Sequence, residues 1–432
     1  MKRTVGALLT SIAACCWFGP LDAEGQAPPN KTAAPALRGV PSCASSACHH
    51  QNGPRGSVGS EYTSWLAYDP HARAFHALSS ERSRQIVYNL KEAKFVSPDK
   101  HPLCLSCHAT ATEDSADRKV LRVDGVGCES CHGPASNWLT EHTTPAWKQR
   151  SAAEKQSLGF RPLKDLTVRA QTCVGCHVGA GDRDVNHDLI AAGHPRLNFE
   201  FGAYHANCPK HWREQQDKAG RADFEARVWA IGQVVAAEAS LRLLQHRAAT
   251  AGKPWPEFAE YDCYSCHHDL AGQAWRRDKQ AAPGRPGALV WNRWYQPTEL
   301  LEPLGLQLPT QTWQELQQLM QQPSPNRAAV ARRAQETADQ LAAQLPRLNG
   351  IGFDRLRLDG LLKGLHGRAK DRGAGSWDQA AQQYLALAAL HQARQDLGEP
   401  ASEVLREFLK ELFERLTFPP GYNSPRPVTP KR

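Results

Sequence analysis

Hydrophobic and polar positions are organised in two different ways along this chain of 432 residues. Between Phe224 and His246, the apolar residues Val228, Ile231, Val235, Leu241 and Leu244 recur near helical spacing and predict one long helix. From about residue 297 the chain turns rich in Leu, Ala, Gln and Arg, and more helices are expected. Arg327 to Leu345 reads as one, stopped by Pro346. Ser376 to Leu397 reads as another, with Ser376 and Gln379 as a capping box and Gly398 as the stop. Pro400 to Leu416 reads as a third, with Val404, Leu405, Phe408, Leu412 and Phe413 on one face. Residues 41–295 otherwise hold few long periodic segments. The expected fold is therefore mainly α: a domain at 41–295 with little regular structure, followed by a C-terminal helical domain at 296–432. That second domain is a plain bundle packed on the first, or a docking surface for a partner.

The N-terminus reads as an export signal over residues 1–23. Lys2 and Arg3 precede an apolar run from Val5 to Phe18, too short to span a bilayer, and Leu21-Asp22-Ala23 offers a cleavage site. Ile12-Ala13-Ala14-Cys15 resembles a bacterial lipobox, which would make Cys15 a lipid anchor and the protein a membrane-tethered lipoprotein. Residues 24–40 are Pro/Ala-rich and read as an extended linker. The expected location is the periplasm or another exported compartment.

The 13 cysteines explain why the first domain lacks periodicity. The pattern C-x-x-C-H, which attaches haem c, occurs at Cys104–Cys107–His108, Cys128–Cys131–His132, Cys173–Cys176–His177 and Cys263–Cys266–His267. Chance would supply roughly 0.02 matches in such a composition, so four decide the matter. Two thiols add to the vinyl groups of one porphyrin, and the adjacent His reaches its iron. A fifth site, Cys43–Cys48–His49, has four residues between its cysteines and matches the variant spacing of tetrahaem cytochromes. The cofactor expected is haem c, five copies, four on the regular spacing and one on the variant. Structural zinc is the rival, but it needs no His directly after the second Cys. Only Cys208 is left over outside the signal and reads as a buried thiol.

Porphyrin then takes the place of side-chain core. The formal charge of +8 also changes meaning, because each ferric haem with ionised propionates brings about −1. Nucleic acid is not an expected partner; redox proteins are. Methionine is nearly absent, with only Met1 and Met320, so the ligand opposite each attachment His is expected to be a second His. The distal set read from the sequence is His71, His142, His194 and His268, with His187 next. His246, His366 and His391 read as non-ligands.

Four C-x-x-C-H sites combine with Gly127-Cys128-Glu129-Ser130-Cys131-His132-Gly133-Pro134, Asp69-Pro70-His71-Ala72-Arg73-Ala74 and Ala192-Gly193-His194-Pro195-Arg196-Leu197. Over roughly residues 40–270 the chain thereby resembles the cytochrome c-554 family of multihaem cytochromes. The resemblance implies a mainly helical fold wound around close-packed haems, a periplasmic place and electron transfer. The fifth site and the long C-terminal extension depart from it. Two functions follow as expectations. One is an electron carrier with mostly bis-His, low-potential haems. The alternative is a nitrite- or hydroxylamine-type oxidoreductase with one five-coordinate haem; no C-x-x-C-K occurs to mark such a haem.

Overall fold

The computed structural model describes residues 34–90, 96–110, 119–263, 266–267, 289–371 and 376–417. The export signal with Cys15, the start of the 24–40 segment, and His268 lie outside the described residues. Helices dominate; among the described residues the only β-type pairings are isolated bridges, Ala180 with Arg183 and Tyr261 with Trp291. The mainly α expectation is met.

The first half is built of short helices: α1 (Glu61–Tyr68), α2 (Glu81–Asn89), α3 (Pro102–His108), α4 (Cys128–His132), α5 (Leu166–His177) and α6 (Phe201–Asn207). Three of these end on an attachment histidine. Their side-chain cores are small: Val40, Trp65 and Ala72 form one, Leu78, Leu105 and Ala109 a second, and Ile86, Leu189 and Ala192 a third. Such clusters do not bury enough apolar area to hold a domain of this size together. The centre of this region belongs instead to a cavity, described below.

The large core lies next to it and centres on α7 (Phe224–Ala249). This helix is buried on nearly all sides, through Phe224, Val228, Trp229, Ile231, Val234, Val235, Leu241 and Leu244, as an all-round apolar helix must be. The others are α8 (Thr310–Met320), α9 (Arg327–Ala342), α10 (Arg355–Asp371), α11 (Trp377–Asp396) and α12 (Glu403–Leu416). Small residues Ala334 and Ala338 alternate with Val330 and Leu341 on the buried face of α9, and α9 lies along α7. Gly232 on α7 is needed for close approach, since a Cβ there would meet Phe201 Cβ at 2.5 Å. The core runs without a break from Leu166 on α5 to Leu405 on α12.

Two helix ends differ from expectation. Pro346 does not stop α9, which ends at Ala342; it sits in the first turn of a further short helix, Leu345–Asn349, where its missing N–H costs nothing. The last helix starts at Glu403 with Ser402 as its cap, because the Ser402 hydroxyl accepts from Leu405 N. On it Leu405 and Leu412 are buried while Val404 and Phe413 are 71% and 57% exposed. The buried stripe is thus narrower than the apolar pattern. Ser376 caps α11 as expected, accepting from Gln379 N, and Gly398 follows the helix at φ 84°.

Candidate functional site

The short-helix half encloses a cavity of about 2040 Å³, whereas pockets for one small molecule run to about 300–1,000 Å³. Cys43, Cys48, His49, Cys104, Cys107, His108, Cys128, Cys131, His132, Cys173, Cys176 and His177 all line it. Helix periodicity explains how α5 serves both sides. Leu166, Ala170 and Val174 recur every four residues and face the large core, which turns Cys173, Cys176 and His177 toward the cavity. Asp165 starts the helix, its carboxylate accepting from Thr167 N and Val168 N.

Glu129, between the two cysteines of α4, is 4% exposed and closes the loop around its motif. Its carboxylate accepts from Arg38 N at 2.9 Å, Gly39 N at 2.7 Å and Ala135 N at 2.7 Å. Arg38 and Gly39 are thus bound onto the region of the 128–132 motif, with Ala36 N also donating to Ser136 Oγ. Gly133, directly after His132, holds φ 85°, and a Cβ there would overlap the Gly159 carbonyl. Glu129→Ala leaves three amides without their acceptor and is expected to cost about 3 kcal/mol. A denaturation midpoint unchanged from the native protein would refute that.

Four of the five attachment histidines face a second histidine ring. Ring centroids are 6.2 Å apart for His49 and His142, 5.9 Å for His177 and His71, 6.2 Å for His132 and His211, and 6.4 Å for His267 and His187. His108 lies within the electrostatic field of His194. Two imidazoles bonded to one metal ion at about 2.0–2.1 Å per bond stand with centroids roughly 6 Å apart. The spacing fits an iron between each close pair.

In five of these histidines the other ring nitrogen is fixed by an acceptor. His49 Nδ1 donates to Glu61 at 2.9 Å, His71 to Asp69 at 2.8 Å, and His108 to the Ala74 carbonyl at 2.9 Å. His142 donates to the Leu139 carbonyl at 2.5 Å and His194 to that of Pro195 at 2.8 Å. A proton held on Nδ1 leaves the Nε2 lone pair free to bind iron, and a carboxylate acceptor makes that lone pair more basic. Accordingly the hydrogen bond that His49 donates to Glu61 raises the pKa of His49, and the one that His71 donates to Asp69 raises that of His71. Burial has the opposite effect on His132 and His177, pushing each down to about 4.

Of the distal residues read from sequence, His71, His142 and His187 meet an attachment His, and His194 approaches one. His268 lies outside the described residues. His211 was not in that set, yet it pairs with His132. It directly precedes Trp212 in a stretch with no motif of its own, so only the fold could select it over His205. His205 turns away, its Nε2 accepting from Arg169 at 3.0 Å, and burial pushes its pKa down to about 3. His50 packs edge-on against Tyr62. His246 bonds with Thr250, and His366 packs on Phe408. Among the described residues no three His, Cys, Asp or Glu side chains converge as around a zinc ion; histidines meet in twos, with room between them for a porphyrin.

Residues 42–133 match the family model described as cytochrome c554 and c-prime. The attachment region is cytochrome c-554-like. The chain is also 30% identical over 120 residues to cytochrome c-554 of Nitrosomonas europaea, a match covering 25% of this chain and 48% of that protein. This chain therefore spans about half the length of the relative it matches. No solved structure matches. Over that segment the chain is similar to a c-type cytochrome family. Its matched segment holds the attachment sites at 43–49, 104–108 and 128–132; those at 173–177 and 263–267 follow it.

Proposed function

We propose that this cytochrome is an exported electron carrier holding five haems, each bound by Cys–Cys–His and by one further histidine. The observation that carries the reading is the pairing of four of the five attachment histidines with a second imidazole, with His194 approaching the fifth. A ring already opposite the iron leaves no open position for substrate, which favours the carrier over the nitrite- or hydroxylamine-type enzyme. Histidine at both positions, with Met320 buried in the large core, keeps the potentials low. When bound, haem c supplies a one-electron centre at each site.

The residues also support close packing. Cys43 and Cys128 lie within hydrogen-bonding reach. The Cys131 and Cys173 thiols sit in each other's field. Cys107 reaches Cys176 and, with Arg183, lowers the Cys176 thiol to about 6. Arg196, two residues after His194, lies beside Cys263. Read as neighbours, the sites form a row: 43–49, 128–132, 173–177, 104–108, 263–267. The cysteines in its middle are half-buried while Cys48 and Cys266 at the two ends are exposed, as entry and exit points for redox partner proteins require. Export rests on the N-terminal signal and on the cysteine chemistry; among the described residues no helix is long and apolar enough to cross a membrane. The division at residue 296, with a haem-free helical part beyond it, belongs to the same proposal.

Pyridine haemochrome analysis is expected to give five haems per chain, and electron paramagnetic resonance of the oxidised protein only low-spin iron. Four haems would show the 43–49 site unloaded. A stoichiometric high-spin signal perturbed by nitrite or hydroxylamine would overturn the carrier reading.

A further inference from the structure

The cavity is lined by several arginines, and Arg196 is held from the C-terminal helices. It is 16% exposed and lines the cavity. Its Nη2 donates to Asp378 Oδ2 at 3.3 Å. Asp378 sits in the first turn of α11 and is 3% exposed. The helix start is pinned there: Trp377 stacks on Trp294 at 6.0 Å and 18°, and Trp294 Nε1 donates to the Phe199 carbonyl at 2.9 Å. Phe199 in turn stacks on the attachment residue His177 at 5.2 Å.

Two groups at this junction are incompletely matched. Asp378 Oδ1 is buried without a hydrogen-bond partner. Arg196 has five N–H donors, and its one hydrogen bond to protein among the described residues is the one to Asp378. The remaining fork borders the cavity. Cys263 lies in the field of both Arg196 and Asp378, and His194, which approaches His108, is two residues away along the chain. The buried Arg196–Asp378 pair thus lies within the field of Cys263 and two residues along the chain from His194.

We propose that the free edge of Arg196 receives a haem propionate between these two sites, and that Asp378 is the positioning residue through which the C-terminal helices set the redox potential there. A planar guanidinium is the side chain best shaped to take a carboxylate through paired hydrogen bonds. Asp378 fixes the plane of the guanidinium and offsets part of its positive charge, which otherwise favours the reduced haem. The C-terminal unit thus acts on electron passage at the end of the row that the matched family segment does not include. This inference rests on the five-haem carrier reading.

The test is an optical redox titration of the holoprotein carrying D378N, with R196Q as the second variant and D378E as the conservative control. With five haems retained, D378N is expected to move two of the five components to higher potential and leave three in place. R196Q is expected to move the same two lower, and D378E to restore the native curve. In a C263A/C266A background, which removes the last site, one of the two moving components disappears. Native curves for both D378N and R196Q at full haem content would overturn the inference, as would a shift shared by all five. A haem count below five in the unmodified protein would instead tell against the carrier reading, so the two failures are distinguishable.

Discussion

Replacing His211 by alanine is expected to convert one of five haems from low to high spin while the haem count stays at five. The count holds because Cys128 and Cys131 anchor that haem covalently. The spin state changes because His211 is the ring facing His132, at 6.2 Å between centroids, in the most enclosed part of the row. Burial depresses the pKa of His211, and its Nδ1 is buried without a partner. No neighbouring side chain is therefore placed to take over. Loss of the sixth ligand also raises the potential of that haem and opens a position to small ligands. Paramagnetic resonance checks the outcome, with His205→Ala as control. His205 is engaged with Arg169, and its removal is expected to leave all five irons low-spin. A fully low-spin spectrum from His211→Ala would remove His211 from the ligand set.

The second large effect concerns Arg247, at the C-terminal end of α7. It is 8% exposed in its side chain and pairs with Asp184 at 2.5 Å and Glu260 at 2.7 Å. Asp184 belongs to the loop that delivers His187, and Glu260 precedes Cys263 by three residues. One guanidinium thus ties the long core helix to both halves of the 263–267 site. Arg247→Met leaves the enclosed Glu260 carboxylate and the partly exposed Asp184 carboxylate without their cation, and removal of one partner from such a network costs about 3 kcal/mol. Guanidinium unfolding is expected to shift by that amount. The loss falls on the end of the row: the His187–His267 haem is expected to turn partly high-spin while the other four keep their spectra. Pairing Arg247→Met with apolar replacements of Asp184 and Glu260 is expected to recover most of the stability, because the cost comes from uncompensated charge. Native stability in Arg247→Met alone would refute the argument.

Much of this chemistry was legible in the sequence because it is local. A C-x-x-C-H run brings two thiols and an imidazole to one porphyrin within a single helical turn, so covalent attachment needs no tertiary information. The scarcity of Met is likewise a property of composition, and it leads to histidine as the second ligand before any fold is known. His71 and His142 were accessible for a related reason: each stands beside a local partner, Asp69 and the Leu139 carbonyl, that orients its ring. The long helix at 224–246 was visible from its apolar spacing and runs to Ala249 in the structure.

What remained hidden depends on distance along the chain. His211 and His205 lie in one aromatic stretch with similar neighbours, and nothing local separates them. The fold does: it turns one ring to His132 and the other to Arg169. The pairing of His49 with His142, of His71 with His177 and of His187 with His267 follows from the same cause, since each brings together rings that no spacing rule connects. The buried Arg196–Asp378 pair joins residues 182 apart, and Pro346 read as a stop only because its place in the first turn of a new helix was not apparent. By itself the sequence pointed to haem c on cysteine pairs and to histidine as the iron ligand. Only the tertiary structure showed which histidine rings meet and that the C-terminal helices reach the cavity through Asp378, because those relations are set by packing between segments far apart in the chain.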